Sequence, residues 1–277
     1  PGKILDEVIN NDRIVGGSTT DCAEKVAEFY ESFVNGKVLK TTAINAELTK
    51  LIENSYRDVN IAFANELSLI ADKFNTSPFE IIELANHHPR VNILNPGPGV
   101  GGHCISVDPW FLVSEAPNQT QLIKTARIVN DHKPEFVIRQ ANKLVQDISN
   151  PKICCLGLAY KADVDDFRES PSLEIARKLT SEYGASVLCC DPYATVDQFT
   201  DLFFAGIEDA INQADLIVLL TDHTSFKNIL PEDLVNKRVL DTRGFWLRSE
   251  NSCSIKETLS SADSNSRIEK FYVTRAA

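Results

Sequence analysis

The sequence has no methionine, no Cys-x-x-Cys pair and no histidine-cysteine cluster among its 277 residues. Its seven cysteines therefore indicate neither a zinc ribbon, nor a thioredoxin-like redox centre, nor an even framework of disulfides. Lysine and arginine number 28 against 39 acidic residues, which gives a formal net charge of −11. A chain this acidic lacks the basic surface that nucleic acid or an anionic membrane requires, so we expect neither as a partner, and we predict no metal site.

Long apolar runs are also lacking, and the N-terminal residues do not show the charged and then apolar layout of a secretory signal. We therefore expect a cytoplasmic protein. The chain starts with Pro-Gly and contains no methionine anywhere, so we expect it to be a fragment of a longer polypeptide. No G-x-G-x-x-G follows any predicted strand, so the dinucleotide-binding fingerprint is absent.

The first half of the chain is predicted to be helical. Residues 43–74 contain no glycine or proline and repeat apolar residues at three- and four-residue steps, which predicts one helix of ~45 Å. A small core cannot cover that length, so we expect the helix to pack partly on a second subunit of a homodimer. Its apolar stripe comprises Leu48, Leu51, Ile52, Val59, Ala62, Phe63, Leu67 and Ile70. Further helices are predicted over 77–88, capped by Ser77, and over 120–148, which Pro134 should kink or split.

After Pro151 the pattern changes to alternating buried strands and helices. The predicted strands are 152–160, 185–193, 214–222 and 238–244, and the helices between them are 170–184 and 206–214. The fold class is therefore α/β, with an all-helical central domain over 1–149 and a Rossmann-like, doubly wound parallel-sheet domain over 150–277. In the tail from Glu250, residues 267–275 are expected to add an edge strand.

The loop after the first strand of this domain, residues 157–172, is the natural place for a ligand, because open parallel sheets bind ligands beyond their carboxyl ends. It offers Lys161, Arg168 and Ser170, and Ser170 is placed to cap the next helix, whose N-terminus favours an anion. Residues 241–243, at the end of the last strand, should converge on the same rim. An equally good interpretation pairs Arg168 with a neighbouring aspartate and leaves Lys161 solvated.

A glycine- and proline-rich loop, residues 95–110, surrounds Cys104. Its glycines, among them Gly101 and Gly102, allow tight turns and close approach of a ligand, while its prolines stiffen it. Only ~3% of a free thiol with pKa near 8.5 is ionised at pH 7, so a nucleophilic Cys104 needs a cation or a helix N-terminus nearby. Adjacent His103 points elsewhere in most geometries, and Asp108 is the better acid-base candidate. Alone, such a cysteine is often buried and inert.

Lys50 and Asn54 lie four residues apart on the long predicted helix and share one face. Together they present an ammonium and an amide to the same point, where the lysine could stabilise an alkoxide. The residue pattern alone favours the plainer interpretation, in which Lys50 is exposed and Asn54 is satisfied by the backbone.

Taken together, these motifs make the chain resemble the UDP-glucose/GDP-mannose dehydrogenase family. The matching segments, in the family's order, are 11–17, 46–67, 88–92, 96–110, 157–171 and 241–246. The resemblance implies an enzyme that oxidises the C6 alcohol of a nucleotide sugar to a carboxylate in two NAD-dependent hydride transfers. It also implies that Cys104 forms the covalent intermediate, that Lys50 stabilises its oxyanion, that Asn54 holds a water or sugar oxygen, and that Asp108 serves the proton transfers.

The resemblance further implies that the second domain binds the UDP part of the substrate near Lys161 and Arg243, while Arg90 reaches the sugar site of a neighbouring subunit. Val107 replaces a lysine of the UDP-glucose members, which favours UDP-N-acetyl-D-mannosamine as the substrate and surface polysaccharide synthesis as the role. NAD should be bound mainly by a domain preceding Pro1, so this polypeptide alone should not turn over. The alternatives are another nucleotide sugar, or a noncatalytic UDP-sugar-binding dimerisation module.

Overall fold

The computed structural model describes residues 4–246, so the predicted edge strand at 267–275 lies outside the described residues. The chain begins with α1 (Ile4–Asn10), β1 (Arg13–Gly17), α2 (Thr20–Glu31) and β2 (Val38–Thr42). The two strands pair in parallel and form a separate two-stranded sheet. The prediction of an all-helical first domain was therefore wrong in this region. Strands of five residues are too short to show a clear alternation, and α2 connects them as a crossover helix.

The long predicted helix is present as α3 (Ala43–Lys73), with Thr42 as its N-cap. Only Ala62 of the predicted apolar stripe, however, is among the residues that this helix buries within the chain. The buried residues of α3 are Ser55, Asp58, Ala62, Ala64, Asn65, Ser68 and Ala71. Leu48, Ile52, Phe63 and Ile70 of the predicted stripe remain exposed. The reason is that α3 packs on another helix through polar side chains, which hydropathy cannot recognise as a buried surface.

That other helix is α6 (Gln121–Val145), which runs without interruption through Pro134. Pro134 therefore does not split the helix, and the alternative, a kink, stays a prediction. Between α3 and α6 lie α4 (Pro78–Asn86), whose N-cap is Ser77, and α5 (Asp108–Glu115). None of the helices in the described part of the chain is both long and apolar enough to cross a membrane.

The second half contains the predicted parallel sheet. Its elements are β3 (Ile153–Leu156), α7 (Pro171–Tyr183), β4 (Val187–Cys190), α8 (Ile207–Gln213), β5 (Leu216–Leu219) and β6 (Arg238–Asp241). The strand order is β4-β3-β5-β6 and every pair is parallel. The order reverses between β3 and β5, so the crevice that parallel α/β sheets use for ligands opens at their carboxyl ends.

The sheet has a buried core on each face. One core joins it to α7 and to the C-terminal part of α6, and the other joins it to α8 and Trp246. Adjacent Cys154 and Cys155 of β3 point to opposite faces and are fully buried, as are Cys189 and Cys190 of β4. These four thiols therefore pack as small hydrophobic side chains.

Candidate functional site

The glycine-rich loop lies against the loop that follows β3. The N–H of Gly102 donates to the carbonyl of Arg168 at 3.0 Å, and Gly102 has a φ of +83°, which a residue with a side chain rarely adopts. At Gly101 an added Cβ would collide with the carbonyl oxygen of Glu169 and with Tyr160. The two loops can meet this closely only because both positions are glycine.

Cys104 is half-buried at the end of this loop, one turn before α5. Its carbonyl accepts hydrogen bonds from the N–H groups of Val107 at 3.1 Å and Asp108 at 2.8 Å. The thiol is therefore neither in an apolar interior nor on an open surface. A negative charge on its sulfur would raise the pKa of both Tyr160 and Arg168.

Lys50, Asn54 and Asp108 meet at a single carboxylate oxygen. The Lys50 ammonium forms an ion pair with Oδ2 of Asp108, and Nδ2 of Asn54 donates to the same oxygen at 2.5 Å. Asp108 is buried at the first position of α5, whereas the Lys50 side chain is 58% exposed. The plainer interpretation of Asn54, satisfied by the backbone, is not what the structure shows. An ammonium and an amide instead converge one turn from Cys104.

The two cations of the loop after β3, Arg168 and Lys161, differ in their surroundings. Arg168 donates from Nε and Nη2 to the two oxygens of Asp166, at 2.9 and 2.6 Å. The hydrogen bonds to Asp166 and its charge raise the pKa of Arg168, and the hydrogen bonds from Arg168 together with its charge lower the pKa of Asp166. The interpretation that pairs Arg168 with a neighbouring aspartate is therefore correct. Lys161 is exposed, and Ser170 caps α7 as predicted, accepting from the N–H of Leu173.

Arg243 connects the edge of the sheet to the cysteine loop, a contact that the sequence did not reveal. Its Nε donates to the carbonyl of Leu220 at 3.2 Å and lies 3.4 Å from Oδ1 of Asp222. Its Nη1 lies over Gly97, where an added Cβ would come within 2.6 Å. Behind it, the buried carboxylate of Asp241 accepts from backbone N–H groups of the following turn, which fixes the position of Arg243.

Burial raises the pKa of Asp241, although the backbone N–H groups of residues 243–246 oppose that rise. The Asp241 carboxylate therefore stabilises the following turn through its hydrogen bonds and is not exposed to a ligand. Its position directly after a buried strand, next to a predicted site residue, is the signal from which this role could have been inferred.

His223 and Asp191 form a buried pair at the same edge that sequence reasoning missed. Nε2 of His223 lies 3.0 Å from Oδ2 of Asp191, and Nδ1 accepts from the N–H of Asp163 at 3.0 Å. Asp191 also accepts from the N–H groups of Leu158 and Ala159. Burial alone would raise the pKa of Asp191, but these hydrogen bonds bring it below its ordinary value. The pair joins the loops after β3, β4 and β5.

Arg90 lies after α4 with its side chain exposed, and its backbone N–H donates to Nδ1 of His88 at 3.3 Å. Its reach into a neighbouring subunit stays a prediction. The structure therefore brings Cys104, Lys50, Asn54 and Asp108 into one region and places Arg243 and Gly101–Gly102 at its border.

Two family models cover most of the described chain. Residues 44–132 match the central domain of the UDP-glucose/GDP-mannose dehydrogenase family, and residues 154–248 match its UDP-binding domain. The chain belongs to this family. The first match contains α3, the cysteine loop and the Lys50–Asn54–Asp108 group, and the second contains the parallel sheet with Arg243. The site described above lies where the two matched domains meet.

Individual members of the family resemble the chain along most of its length. It is 47% identical over 248 residues to an NDP-N-acetyl-D-galactosaminuronic acid dehydrogenase of Ralstonia solanacearum, covering 89% of this chain and 59% of the relative. It is 48% identical over 241 residues to a UDP-N-acetyl-D-mannosamine dehydrogenase of Campylobacter jejuni, covering 85% and 59%. The structure of the UDP-N-acetyl-mannosamine dehydrogenase of S. aureus matches with a TM-score of 0.78 and 40% identity, covering 88% and 58%.

The chain thus spans about three fifths of the length of these dehydrogenases. These matches show a nucleotide-sugar dehydrogenase family with a mixed α/β fold, as the sequence predicted.

Proposed function

We propose that this chain supplies the catalytic cysteine and the UDP-sugar site of an NAD-dependent dehydrogenase that oxidises C6 of UDP-N-acetyl-D-mannosamine to a carboxylate. The observation that carries this proposal is the convergence of Lys50 and Asn54 on Asp108, one turn from Cys104. In this group Asp108 would be the proton acceptor and Lys50 and Asn54 the two donors for an oxyanion, and the nucleophile Cys104 lies one turn before Asp108 along the chain.

The described residues do not fit an NAD site. No glycine fingerprint follows β3, and the single glycine at that position, Gly157, has the space beside its Cα filled by Thr221. We therefore assign NAD to a separate NAD-binding domain, and NAD bound there would supply the acceptor for the hydrides released from C6. The complete enzyme is accordingly this chain joined to such a domain.

In the first oxidation C6 of the alcohol loses a hydride and its hydroxyl loses a proton, which gives an aldehyde. Asp108 is buried, already in contact with two donors, and able to accept that proton directly or through water. The ammonium of Lys50 can then exchange its hydrogen bond to the Asp108 carboxylate for one to the developing oxygen anion.

In the second oxidation the ionised sulfur of Cys104 adds to the aldehyde carbon and forms a thiohemiacetal. Its oxygen carries the negative charge, which Lys50 and Asn54 stabilise by donating hydrogen bonds. Loss of a second hydride from C6 leaves a thioester. Water then adds to the thioester carbon, the carbon–sulfur bond breaks, and the carboxylate and the free thiolate are regenerated, with the released protons passing through Asp108.

The UDP part of the substrate is assigned to the carboxyl edge of the sheet. Arg243 lies there between the sheet and the cysteine loop, and Lys161 is exposed on the loop after β3. The capped N-terminus of α7 at Ser170 adds a partial positive charge on the same side. Because Arg168 is bound by Asp166, we assign it only a supporting electrostatic role for this anion.

The choice of sugar rests on Val107 and on the relatives. Both dehydrogenases named above, from Ralstonia solanacearum and Campylobacter jejuni, are named for N-acetylated sugars. Val107 is exposed beside Cys104, where the UDP-glucose members carry a lysine. The product would serve the synthesis of a surface polysaccharide in the cytoplasm. We further propose a homodimer through α3, supported by the exposure of Leu48, Ile52 and Phe63 on it.

The complete enzyme is expected to form two NADH for each UDP-N-acetyl-D-mannosamine consumed. A panel of nucleotide sugars read by NADH absorbance checks this: the N-acetylmannosamine and N-acetylgalactosamine compounds of UDP, UDP-glucose, UDP-N-acetylglucosamine and GDP-mannose. Turnover of UDP-glucose without turnover of the N-acetylmannosamine compound would reject the proposed substrate. A stoichiometry of one NADH per sugar would reject the second oxidation.

A second candidate is a noncatalytic module that binds UDP-sugars and dimerises, which the absence of a dinucleotide fingerprint favours. Calorimetry on this chain alone bears on both candidates. UDP is expected to bind and NAD is not; binding of NAD by this chain would show that the assignment of NAD to another domain is wrong.

A further inference from the structure

A buried side chain of the long helix holds the start of the cysteine loop. Oδ1 of Asn65, in α3, accepts a hydrogen bond from the N–H of Gly97 at 2.9 Å, and Asn65 is fully buried. Gly97 belongs to no helix or strand, and it is the residue over which Nη1 of Arg243 lies. This bond therefore fixes the start of the loop that ends at Cys104.

The orientation of the Asn65 amide follows from a chain of buried polar groups between α3 and α6. Nδ2 of Asn65 donates to Oδ1 of Asn130 at 2.9 Å, and Nδ2 of Asn130 donates to Oδ1 of Asp58 at 2.8 Å. Asp58 also accepts a hydrogen bond from Nη1 of Arg127 at 2.6 Å. All four side chains are at most 2% exposed.

The direction from donor to acceptor along these hydrogen bonds is set at their charged end, where Asp58 lies. A carboxylate only accepts hydrogen bonds, so Asn130 must direct its NH2 group to Asp58 and its oxygen to Asn65. Asn65 must then direct its NH2 group to Asn130, which leaves its oxygen for Gly97. Burial raises the pKa of Asp58, and the charge of the Arg127 guanidinium, itself also paired with Asp131, opposes that rise.

We propose that Asn65 is a positioning residue for the nucleophile: its amide anchors the cysteine loop, and Asn130 and Asp58 fix the direction of that amide. The effect on catalysis rests on the proposed function of Cys104, whereas the anchoring itself does not. No sequence motif reports it, because Asn65, Asn130 and Gly97 are 32 to 65 residues apart and meet only in the folded chain.

Amide hydrogen exchange of the full chain tests the anchor, read at Gly97 by nuclear magnetic resonance. In the unsubstituted protein Gly97 should exchange slowly despite lying in a loop. Asn65→Leu keeps the approximate size of the side chain and removes the acceptor, and should speed exchange at Gly97 about tenfold or more. Asn130→Leu should act in the same direction, because it frees the Asn65 amide to turn.

Gln140→Leu is the matched control, since it removes another bond between α6 and α3, from Nε2 of Gln140 to Oδ2 of Asp72 at 2.8 Å. It should leave exchange at Gly97 unchanged. Iodoacetamide labelling gives a second measurement: in Asn65→Leu the labelling rate of Cys104 should rise relative to that of exposed Cys22. Unprotected exchange at Gly97 in the unsubstituted protein, or equal effects of Asn65→Leu and Gln140→Leu, would overturn the anchor.

In the complete enzyme, Asn65→Leu should lower kcat about tenfold or more and change KM for the nucleotide sugar by less than that. If the thermal stability of the variant falls but its kcat is unchanged at a temperature where it is folded, Asn65 has only a structural role. If Cys104 itself proves dispensable, the proposed function fails, but the exchange result still decides the anchor.

Discussion

Cys104→Ser in the complete enzyme is expected to abolish formation of the acid, with a loss of at least about 10³-fold in the rate of the second oxidation. A serine hydroxyl ionises far less readily than a thiol, and the alkoxide is a much poorer leaving group than the thiolate when the ester must be hydrolysed. The first oxidation does not need the sulfur, so a slow formation of aldehyde should remain. Acid analysis by mass spectrometry, together with NADH stoichiometry, checks both steps.

Cys22→Ser is the control for this substitution, because Cys22 is an exposed thiol in α2, outside the cysteine loop. It should leave both oxidations unchanged. Cys154→Ser should alter stability only, because Cys154 is fully buried in β3. Acid formation by Cys104→Ser at the unsubstituted rate would remove the sulfur from the mechanism.

Lys133→Met is expected to change how stability depends on pH. Lys133 is buried in α6, where its Nζ donates to Oγ of Ser68 at 2.7 Å and lies 4.7 Å from the centre of the Phe136 ring. Burial lowers its pKa from 10.5 to about 7, although the charge of Asp72 partly opposes this. The folded protein therefore releases the proton of Lys133 at a lower pH than the unfolded chain does.

The sign of the pH dependence follows from that difference. Between pH 7 and pH 10.5 the unfolded chain binds more protons at this site, so the free energy of unfolding rises with pH in that window. The slope from this group is about 1.4 kcal/mol per pH unit, and its full extent is on the order of 5 kcal/mol. Below pH 7 both states bind the proton and the contribution of Lys133 to the slope disappears.

Urea unfolding at pH 7, 8 and 9 measures this slope. Lys133→Met keeps an unbranched side chain, removes the ionisable group and should flatten the dependence, with the largest gain in stability at or below pH 7. Lys143→Met, at an exposed position of the same helix, should leave the slope unchanged. Parallel curves for the unsubstituted protein and Lys133→Met would show that the buried lysine titrates at its ordinary pKa.

The elements that could be predicted from the sequence are those with local causes. The long helix was predicted over 43–74 and is observed over Ala43–Lys73, because the absence of glycine and proline and the cap at Thr42 are local features. The polar residues that it buries were not predicted, because Asp58 and Asn65 are buried only through partners on α6. Hydropathy periodicity identified a different stripe, half of whose residues are exposed within this chain.

The site was predictable in its residues and less so in its contacts. The spacing of Lys50 and Asn54 put them on one face of a helix, but their meeting point on Asp108 is a contact between α3 and α5. The approach of Arg243 to Gly97 likewise depends on how the sheet packs on the helices.

The most direct test of the central claim is to look for sugar bound to Cys104. The unsubstituted complete enzyme is mixed with NAD and UDP-N-acetyl-D-mannosamine, quenched in acid during the first turnovers and mapped by peptide mass spectrometry. We predict a mass increase on the peptide containing Cys104, equal to the acyl group of the nucleotide sugar and removed by hydroxylamine. Acid formation with Cys104 unmodified at every time point would contradict the account.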